Sequence, residues 1–119
     1  MINDALQQAA AADDGIDGVF LVAMDGMEVA RSGDPGDFPL EFMAASYADI
    51  MRKLEAVGKE ADFDLPAELM VTGSGRNLIF RTVTPEYGLL AVVAPGGILG
   101  RVRYELGKAA RILRPELEG

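Results

Sequence analysis

Apolar residues recur at helical spacing over the longest patterned stretch of the chain, from Asp37 to Asp62. Steps of three and four residues place seven of them in one stripe along a helix. The stripe consists of Leu40, Met43, Tyr47, Ile50, Leu54, Val57 and Ala61. Asp37 is a suitable N-cap, and Pro39 is tolerated in the first turn of a helix. The pattern therefore predicts one long helix over 37–62.

A second row of residues lies beside this stripe and widens the apolar arc to roughly half of the helix circumference. The row consists of Ala44, Ala48, Met51 and Gly58. Large side chains suit packing on a sheet, whereas small ones let another helix backbone come close. We therefore expect the stripe to cover the protein's own sheet and the second row to face a second subunit. The alternative is one broad core-facing surface in a monomer.

Shorter patterned segments lie on both sides of the long helix. The N-terminal pattern predicts a helix over 3–12 that Asn3 caps, and the C-terminal pattern predicts a helix over 98–114 with a basic last turn. Five further segments have the length and patterning of strands. These segments are 18–24, 27–31, 68–72, 77–84 and 88–94.

Two strands, 18–24 and 88–94, are apolar throughout, so we expect them at the centre of a sheet with both faces covered. Hairpin connections then place the strands in the order 2-1-5-4-3. The predicted fold class is α+β: a profilin-like three-layer α/β/α sandwich with a five-stranded antiparallel sheet, in a single domain over 1–119. The long helix covers one face, and the two terminal helices cover the other.

Strand 68–72 is left at an open edge of this sheet, although it is apolar. Proteins seldom leave such an edge uncovered, and pairing it with the same strand of a second copy would cover it. We therefore expect Leu69 and Val71 to join the second row of the long helix in a homodimer interface.

Composition narrows the possible functions. Half of the 119 residues are apolar and a quarter are charged, as in ordinary globular domains. Cysteine and histidine are absent, which removes thiolate metal sites, cysteine nucleophiles and the usual general base. The carboxylates Asp13, Asp14 and Asp17 lack the later Glu of a calcium loop, so we expect a solvated turn. The chain is therefore expected to be no enzyme and to bind no metal or other cofactor.

The net charge of −8 argues against nucleic acids and anionic membranes, which attract clustered lysine and arginine. Residues 1–75 carry −11 and residues 76–119 carry +3, an asymmetry that permits steering toward a protein partner. The N-terminus lacks the basic start and apolar run of a signal peptide, and the apolar runs are too short to span a bilayer. These features predict a cytoplasmic protein.

Two runs of sequence resemble the Roadblock-type dynein light-chain family. They are GVFLVAMDGMEVARSG near the start and GLLAVVAPGGILGRVRYELGKAARIL at the end. The resemblance covers nearly the whole chain, and its most specific parts are the apolar strand ending in Asp25-Gly26 and strand 88–94 with its glycine-bearing turn. It implies a sandwich that dimerises through the long helix and the third strand. It also implies a platform for small Ras-like GTPases, since bacterial relatives resemble GTPase-activating regulators of polarity or motility.

A GTPase on such a dimer would contact the polar faces of the two long helices. The expected contact residues are Phe42, Ala45, Asp49, Arg52 and Lys53. Phe42 is either a partner-binding anchor or a residue that packs against the loop 32–36, whereas Phe38 is expected to pack locally as a staple. Nothing in the sequence marks Arg52 as an arginine finger; Arg52 and Lys53 more naturally pair with Asp49, Glu55 or Glu60.

A glycine-bearing turn, Gly96-Gly97-x-x-Gly100, opens the last helix, at a position where a phosphate can bind. The dinucleotide fingerprint and the P-loop are both incomplete, so no nucleotide site is expected. The leading interpretation is a homodimeric adaptor that binds a small Ras-like GTPase and stimulates its GTP hydrolysis. The alternative is a non-catalytic scaffold dimer with no effect on hydrolysis.

Overall fold

A computed structural model describes residues 1–34 and 36–118, so Pro35 of the predicted loop 32–36 and Gly119 lie outside the described residues. The elements follow one another in the predicted order. The helices are α1 (Ile2–Ala10), α2 (Leu40–Ala61) and α3 (Leu99–Glu118). The strands are β1 (Ile16–Ala23), β2 (Glu28–Gly33), β3 (Glu68–Thr72), β4 (Asn77–Thr84) and β5 (Tyr87–Val93).

The five strands form one antiparallel sheet in the order β2-β1-β5-β4-β3, as predicted. Strands β1 and β5 are central, and consecutive residues on both of their faces are buried over 18–22 and 88–93. Strands β2 and β3 form the two edges, and their partly exposed side chains fit that position.

Two separate hydrophobic cores lie on the two faces of the sheet. One core joins α1 and α3 to Val19, Leu21, Ile79 and other side chains of the sheet. The other core joins α2 to the opposite face, which carries Phe20 and Phe80. This arrangement confirms the predicted three-layer sandwich, with the long helix alone on its face.

The N-terminus of α2 differs from the prediction. Pro39 stands at the N-cap position, no side chain caps the helix, and Asp37 lies before it. The residue that precedes a proline is kept out of the helical region, so Phe38 cannot belong to a first turn and the helix begins only after Pro39. Asn3 likewise provides no cap, because α1 begins at Ile2 with Met1 at its N-cap.

Helix α3 continues to Glu118, four residues beyond the predicted end, with Pro115 inside its last turn. Proline there removes one backbone hydrogen bond near a helix end that frays in any case. Leu117 packs against the core beneath α1 and α3, and this contact supports the additional turn.

Candidate partner-binding surface

The buried face of α2 includes both predicted rows: Leu40 and Tyr47 of the stripe are buried as expected, but so is the second row. Ala44, Ala48 and Met51, which were assigned to a dimer interface, are at most 3% exposed, and Gly58 is buried as well. These four residues are therefore unavailable to a partner. Ala44 and Met51 pack in the core beneath α2 together with Tyr47, Phe20 and Phe80.

Gly58 has a more specific role at the end of α2. Its carbonyl accepts hydrogen bonds from the N–H groups of Phe63 (2.9 Å) and Asp64 (3.1 Å), and Asp62 at the C-cap is left-handed (φ 66°). A Cβ at position 58 would overlap the carbonyl oxygen of Asp64. Glycine at this position is thus explained by a close backbone approach within one subunit.

Ile50 and Val57 belong to the stripe that was predicted to cover the sheet, yet they are 42% and 54% exposed. The flank of α2 that carries Ala45 faces the β1–β2 hairpin, since a Cβ at Gly26 would lie 3.0 Å from the Ala45 Cα. At about 100° per residue, Ile50 and Val57 lie roughly 120–140° around the helix from Ala45. They therefore point away from the β2 side of the sheet and toward β3.

Strand β3 presents both apolar side chains and free backbone groups at its edge. Leu69 and Val71 pair with Phe80 and Leu78 of β4 and so lie on the α2 face of the sheet. Met70 lies on the opposite face, and Val71 and Met70 are both exposed.

Two ladder hydrogen bonds show which backbone groups of β3 are free. The Gly73 N–H donates to the Arg76 carbonyl (3.1 Å), and the Thr82 N–H donates to the Ala67 carbonyl (2.9 Å). Bonded and non-bonded pairs alternate along antiparallel strands, so the odd-numbered residues of 67–73 bond to β4. The even-numbered residues of β3 direct their backbone groups to the open edge. These residues are Glu68, Met70 and Thr72.

Apolar side chains that are wholly or partly exposed thus occur on the flank of α2, in the connection that follows it and on the edge strand β3. We call this set of side chains the edge surface, and it consists of Ile50, Val57, Phe63, Leu69 and Val71. Phe63 lies in the connection between α2 and β3 and is exposed. Exposed apolar patches rimmed by polar residues commonly mark sites of protein association.

The predicted contact residues for a GTPase lie along the solvent side of α2, which we call the crest. The crest consists of Phe42, Ala45, Asp49, Arg52 and Lys53, all of them exposed. Asp49 forms ion pairs with Arg52 (3.7 Å) and Lys53 (3.5 Å), as expected from the spacing. Such exposed pairs contribute about 0–1 kcal/mol to stability and leave both cations accessible to a partner.

Arg52 also has a structural contact that the sequence did not indicate. Its guanidinium donates a hydrogen bond of 2.9 Å to the Met24 carbonyl at the end of β1. This bond joins the crest to the β1–β2 hairpin. No local signal could have revealed it, because the two residues lie 28 positions apart.

The glycine-bearing turn before α3 is occupied by a carboxylate of the chain itself. The Asp13 side chain is only 7% exposed and accepts hydrogen bonds from the Gly15 N–H (2.9 Å) and the Ile98 N–H (3.4 Å). It also pairs with Arg101 at 3.3 Å. The expectation of a solvated turn is therefore wrong for Asp13, which fills the anion position at the start of α3.

Close packing accounts for two glycines around this carboxylate. A Cβ on Gly15 would overlap the Cα of Gly97, and a Cβ on Gly97 would overlap the Val93 side chain. The turn therefore serves to join the α1–β1 connection to the start of α3.

We expect the purified protein to bind neither GTP nor ATP. Asp13 already accepts the hydrogen bonds that a phosphate would need, and the turn lacks the lysine and hydroxyl of a P-loop. Isothermal titration calorimetry with each nucleotide and Mg²⁺ should show no heat of binding at micromolar protein. A micromolar site for either nucleotide would contradict this prediction.

A metal site and a membrane-spanning helix would each place requirements on the described residues. Within 1–34 and 36–118, no three carboxylate side chains are grouped so that they could hold a metal ion. Among the described helices, none combines the length and the apolar character needed to cross a bilayer.

Tyr47 lies on the buried face of α2 and is the largest buried side chain there. Its ring stacks on Phe80 with centroids 5.5 Å apart. Its hydroxyl is buried without a hydrogen-bond partner among the described residues. Burial raises the pKa of Tyr47 to about 12. The neutral ring therefore stabilises the fold below pH 10, the ordinary pKa, and that contribution is lost as the pH rises toward 12.

Replacing Tyr47 by phenylalanine is expected to raise the free energy of unfolding by about 1 kcal/mol at pH 7, because it removes an unsatisfied buried hydroxyl. The gain should increase above pH 10, where only the wild type has a buried phenol that ionises on unfolding. Urea unfolding at pH 7 and pH 11 measures both effects. Tyr104→Phe is the control, because Tyr104 is exposed on α3 and should change nothing. A less stable Tyr47→Phe protein would contradict the prediction.

No protein-family model and no curated protein matches this chain. Solved structures do match it. MglB from Myxococcus xanthus superposes with a TM-score of 0.87 over 98% of this chain and 94% of that one, at 20% identity. A Roadblock/LC7 domain from Streptomyces avermitilis gives 0.83 over 97% and 96%, at 16% identity. An MglB in a tetrameric arrangement gives 0.87 over 96% and 85%, at 20% identity. The chain therefore has the fold of a Roadblock/LC7 domain, as its sequence resemblance implied.

Proposed function

We propose that this chain is a homodimeric adaptor that binds a small Ras-like GTPase and stimulates its GTP hydrolysis. Its main support is the edge surface, which combines exposed apolar residues of α2 with an unpaired strand edge. The Roadblock-type resemblance supplies the class of partner. The protein would act without chemistry of its own, since its sequence contains no histidine or cysteine.

In the proposed dimer, β3 pairs with β3 of a second copy about a two-fold axis. The outward backbone groups of Glu68, Met70 and Thr72 would form the ladder, joining two five-stranded sheets. Ile50 and Val57 would meet the same flank of the partner's α2, which removes them from water. One similar structure, an MglB, has a tetrameric arrangement, which agrees with association of this fold.

The crests of the two α2 helices would then lie side by side near the two-fold axis. One GTPase placed across that axis would contact both crests and block a second copy, so we expect one GTPase per dimer. The charges of Asp49 and Lys53 would act mainly on the association rate. Binding should depend on the bound nucleotide, because the switch regions are the part of a GTPase that differs between its two forms.

The test uses each Ras-like GTPase of the same organism, purified and loaded with GDP or a GTP analogue. We expect one of them to bind in the GTP form, with two copies of this chain per GTPase. Single-turnover hydrolysis should accelerate by about tenfold or more, below the roughly 10³–10⁵-fold of an inserted arginine finger. Binding without acceleration would exclude the stimulation of hydrolysis, and the absence of any binding GTPase would contradict the proposal and leave only the scaffold alternative.

A further inference from the structure

A cleft lies between the first turn of α2 and the β1–β2 hairpin. Its volume is about 410 Å³, and Gly26, Met27, Glu28 and Glu41 line it. Met27 at its mouth is 65% exposed, and Phe42, which follows Glu41 on α2, is 70% exposed. We call this feature the hairpin cleft. It adjoins the crest, since the backbone of Gly26, which lines the cleft, lies against Ala45.

A β-bulge lies in β2 beside the cleft. Leu21 pairs with Ala30 and Val22 pairs with Glu28, which leaves Val29 as the extra residue of β2. Val22 belongs to the core beneath α2, so its partner Glu28 lies on the α2 side, and the unpaired Val29 is exposed. Bulges commonly re-aim side chains beside functional sites.

Two contacts hold the hairpin against α2, and a third fixes the hairpin turn itself. Arg52 donates to the Met24 carbonyl at 2.9 Å, and the hairpin backbone at Gly26 lies against Ala45. The Asp25 carboxylate accepts the Met27 N–H at 2.9 Å, which fixes the turn. A cleft whose walls are already fixed loses little conformational entropy when a partner binds.

The rim of the hairpin cleft is acidic. Glu28 is neutralised by Arg31, which donates two hydrogen bonds to it (2.7 and 2.9 Å) and lowers its pKa. In the part of the chain that the structure describes, no lysine or arginine forms an ion pair with Asp25 or Glu41. A cleft that joins the apolar side chain of Met27 to the carboxylate of Glu41 is complementary to a long cationic side chain, whose methylene groups pack on apolar surface while its charge meets a carboxylate.

We propose that the hairpin cleft binds a basic segment of the GTPase that docks on the crest. Met27 contacts the apolar stem of a lysine or arginine of that segment, and Glu41 pairs with its charge. This inference rests on the proposed function and specifies the chemistry of the partner at that site. Charge complementarity favours a cationic protein segment, and continuity with the crest places both contacts within reach of one partner.

The test compares two charge reversals that change the net charge equally. Glu41→Lys alters the hairpin cleft, and Glu116→Lys alters an exposed position of α3 on the opposite face of the sheet. The probe is the GTPase that binds the wild-type protein, loaded with a GTP analogue. We expect Glu41→Lys to weaken binding by about tenfold or more, mainly through slower association and with less dependence on salt. Glu116→Lys should bind like the wild type, and Met27→Ala should mainly accelerate dissociation.

The outcomes separate this inference from the proposed function. If Glu41→Lys and Met27→Ala both bind the GTPase with wild-type affinity, the hairpin cleft is not a contact site. The proposed GTPase-binding function then still stands. If only Glu116→Lys loses affinity, the GTPase binds on the α3 face, and the proposal for the hairpin cleft is overturned. If no GTPase binds the wild type, the proposed function fails and the inference fails with it. Thermal melting of each variant shows whether the exposed substitutions leave the fold intact.

Discussion

Replacing Met70 by proline is expected to convert the proposed dimer into a folded monomer. The Met70 N–H points to the open edge of the sheet, so proline removes a bond to the second subunit and leaves the β3–β4 ladder intact. Because both subunits carry the substitution, two hydrogen bonds between the subunits are lost, at about 1 kcal/mol each. With the added bulk of the ring, dimerisation should weaken on the order of 100-fold. Light scattering at micromolar concentration measures the change in mass.

Two controls isolate the strand edge as the cause. Met70→Ala keeps the N–H and should remain dimeric. Val71→Pro removes a bond to β4 instead, because Val71 pairs with Leu78 within the sheet, and should lower the melting temperature. A dimeric Met70→Pro protein would show that the subunits associate elsewhere, and a monomeric wild type would contradict the homodimer altogether.

Replacing Phe42 by alanine is expected to weaken GTPase binding by at least ~30-fold, the effect of losing one aromatic hot spot of about 2 kcal/mol. Phe42 is the one aromatic residue of the crest. Its side chain is 70% exposed and belongs to neither core. Its removal should therefore leave the dimer and the melting temperature nearly unchanged. Calorimetry with the GTP-analogue form of the GTPase measures the affinity.

Tyr104→Ala is the matched control for this variant, because Tyr104 is an exposed aromatic residue of α3 on the other face of the sheet. It should bind the GTPase as the wild type does. Wild-type affinity for Phe42→Ala would exclude Phe42 as the anchor, and a loss in Tyr104→Ala would move the site to the basic final helix. Arg52 is best left unchanged in this experiment, since its bond to the Met24 carbonyl also holds the hairpin.

The layers and the strand order of this protein follow from its sequence alone. A strand that is apolar on both faces, as β1 and β5 are, can be satisfied only at the centre of a covered sheet. Short hairpins then leave one position for each remaining strand. The ion pairs from Asp49 to Arg52 and Lys53 were also predictable, because helical spacing brings them together.

The centre of the buried arc on α2 was decided only by the tertiary structure. Periodicity sets the width of an apolar arc, but the side chains of the facing surface determine which part of it is buried. Here the sheet surface with Phe20 and Phe80 buries Tyr47, Ala44 and Met51, whereas Ile50 and Val57 stay exposed.

Contacts between residues far apart in the chain likewise could not be predicted from the sequence. Arg52 reaches the Met24 carbonyl, and Asp13 reaches the Ile98 N–H across 85 positions. Each of these side chains is an ordinary charged residue of a helix face or a turn when only its neighbours in sequence are considered. Its partner is a backbone group, which every residue carries, so only the folded chain determines which one it meets.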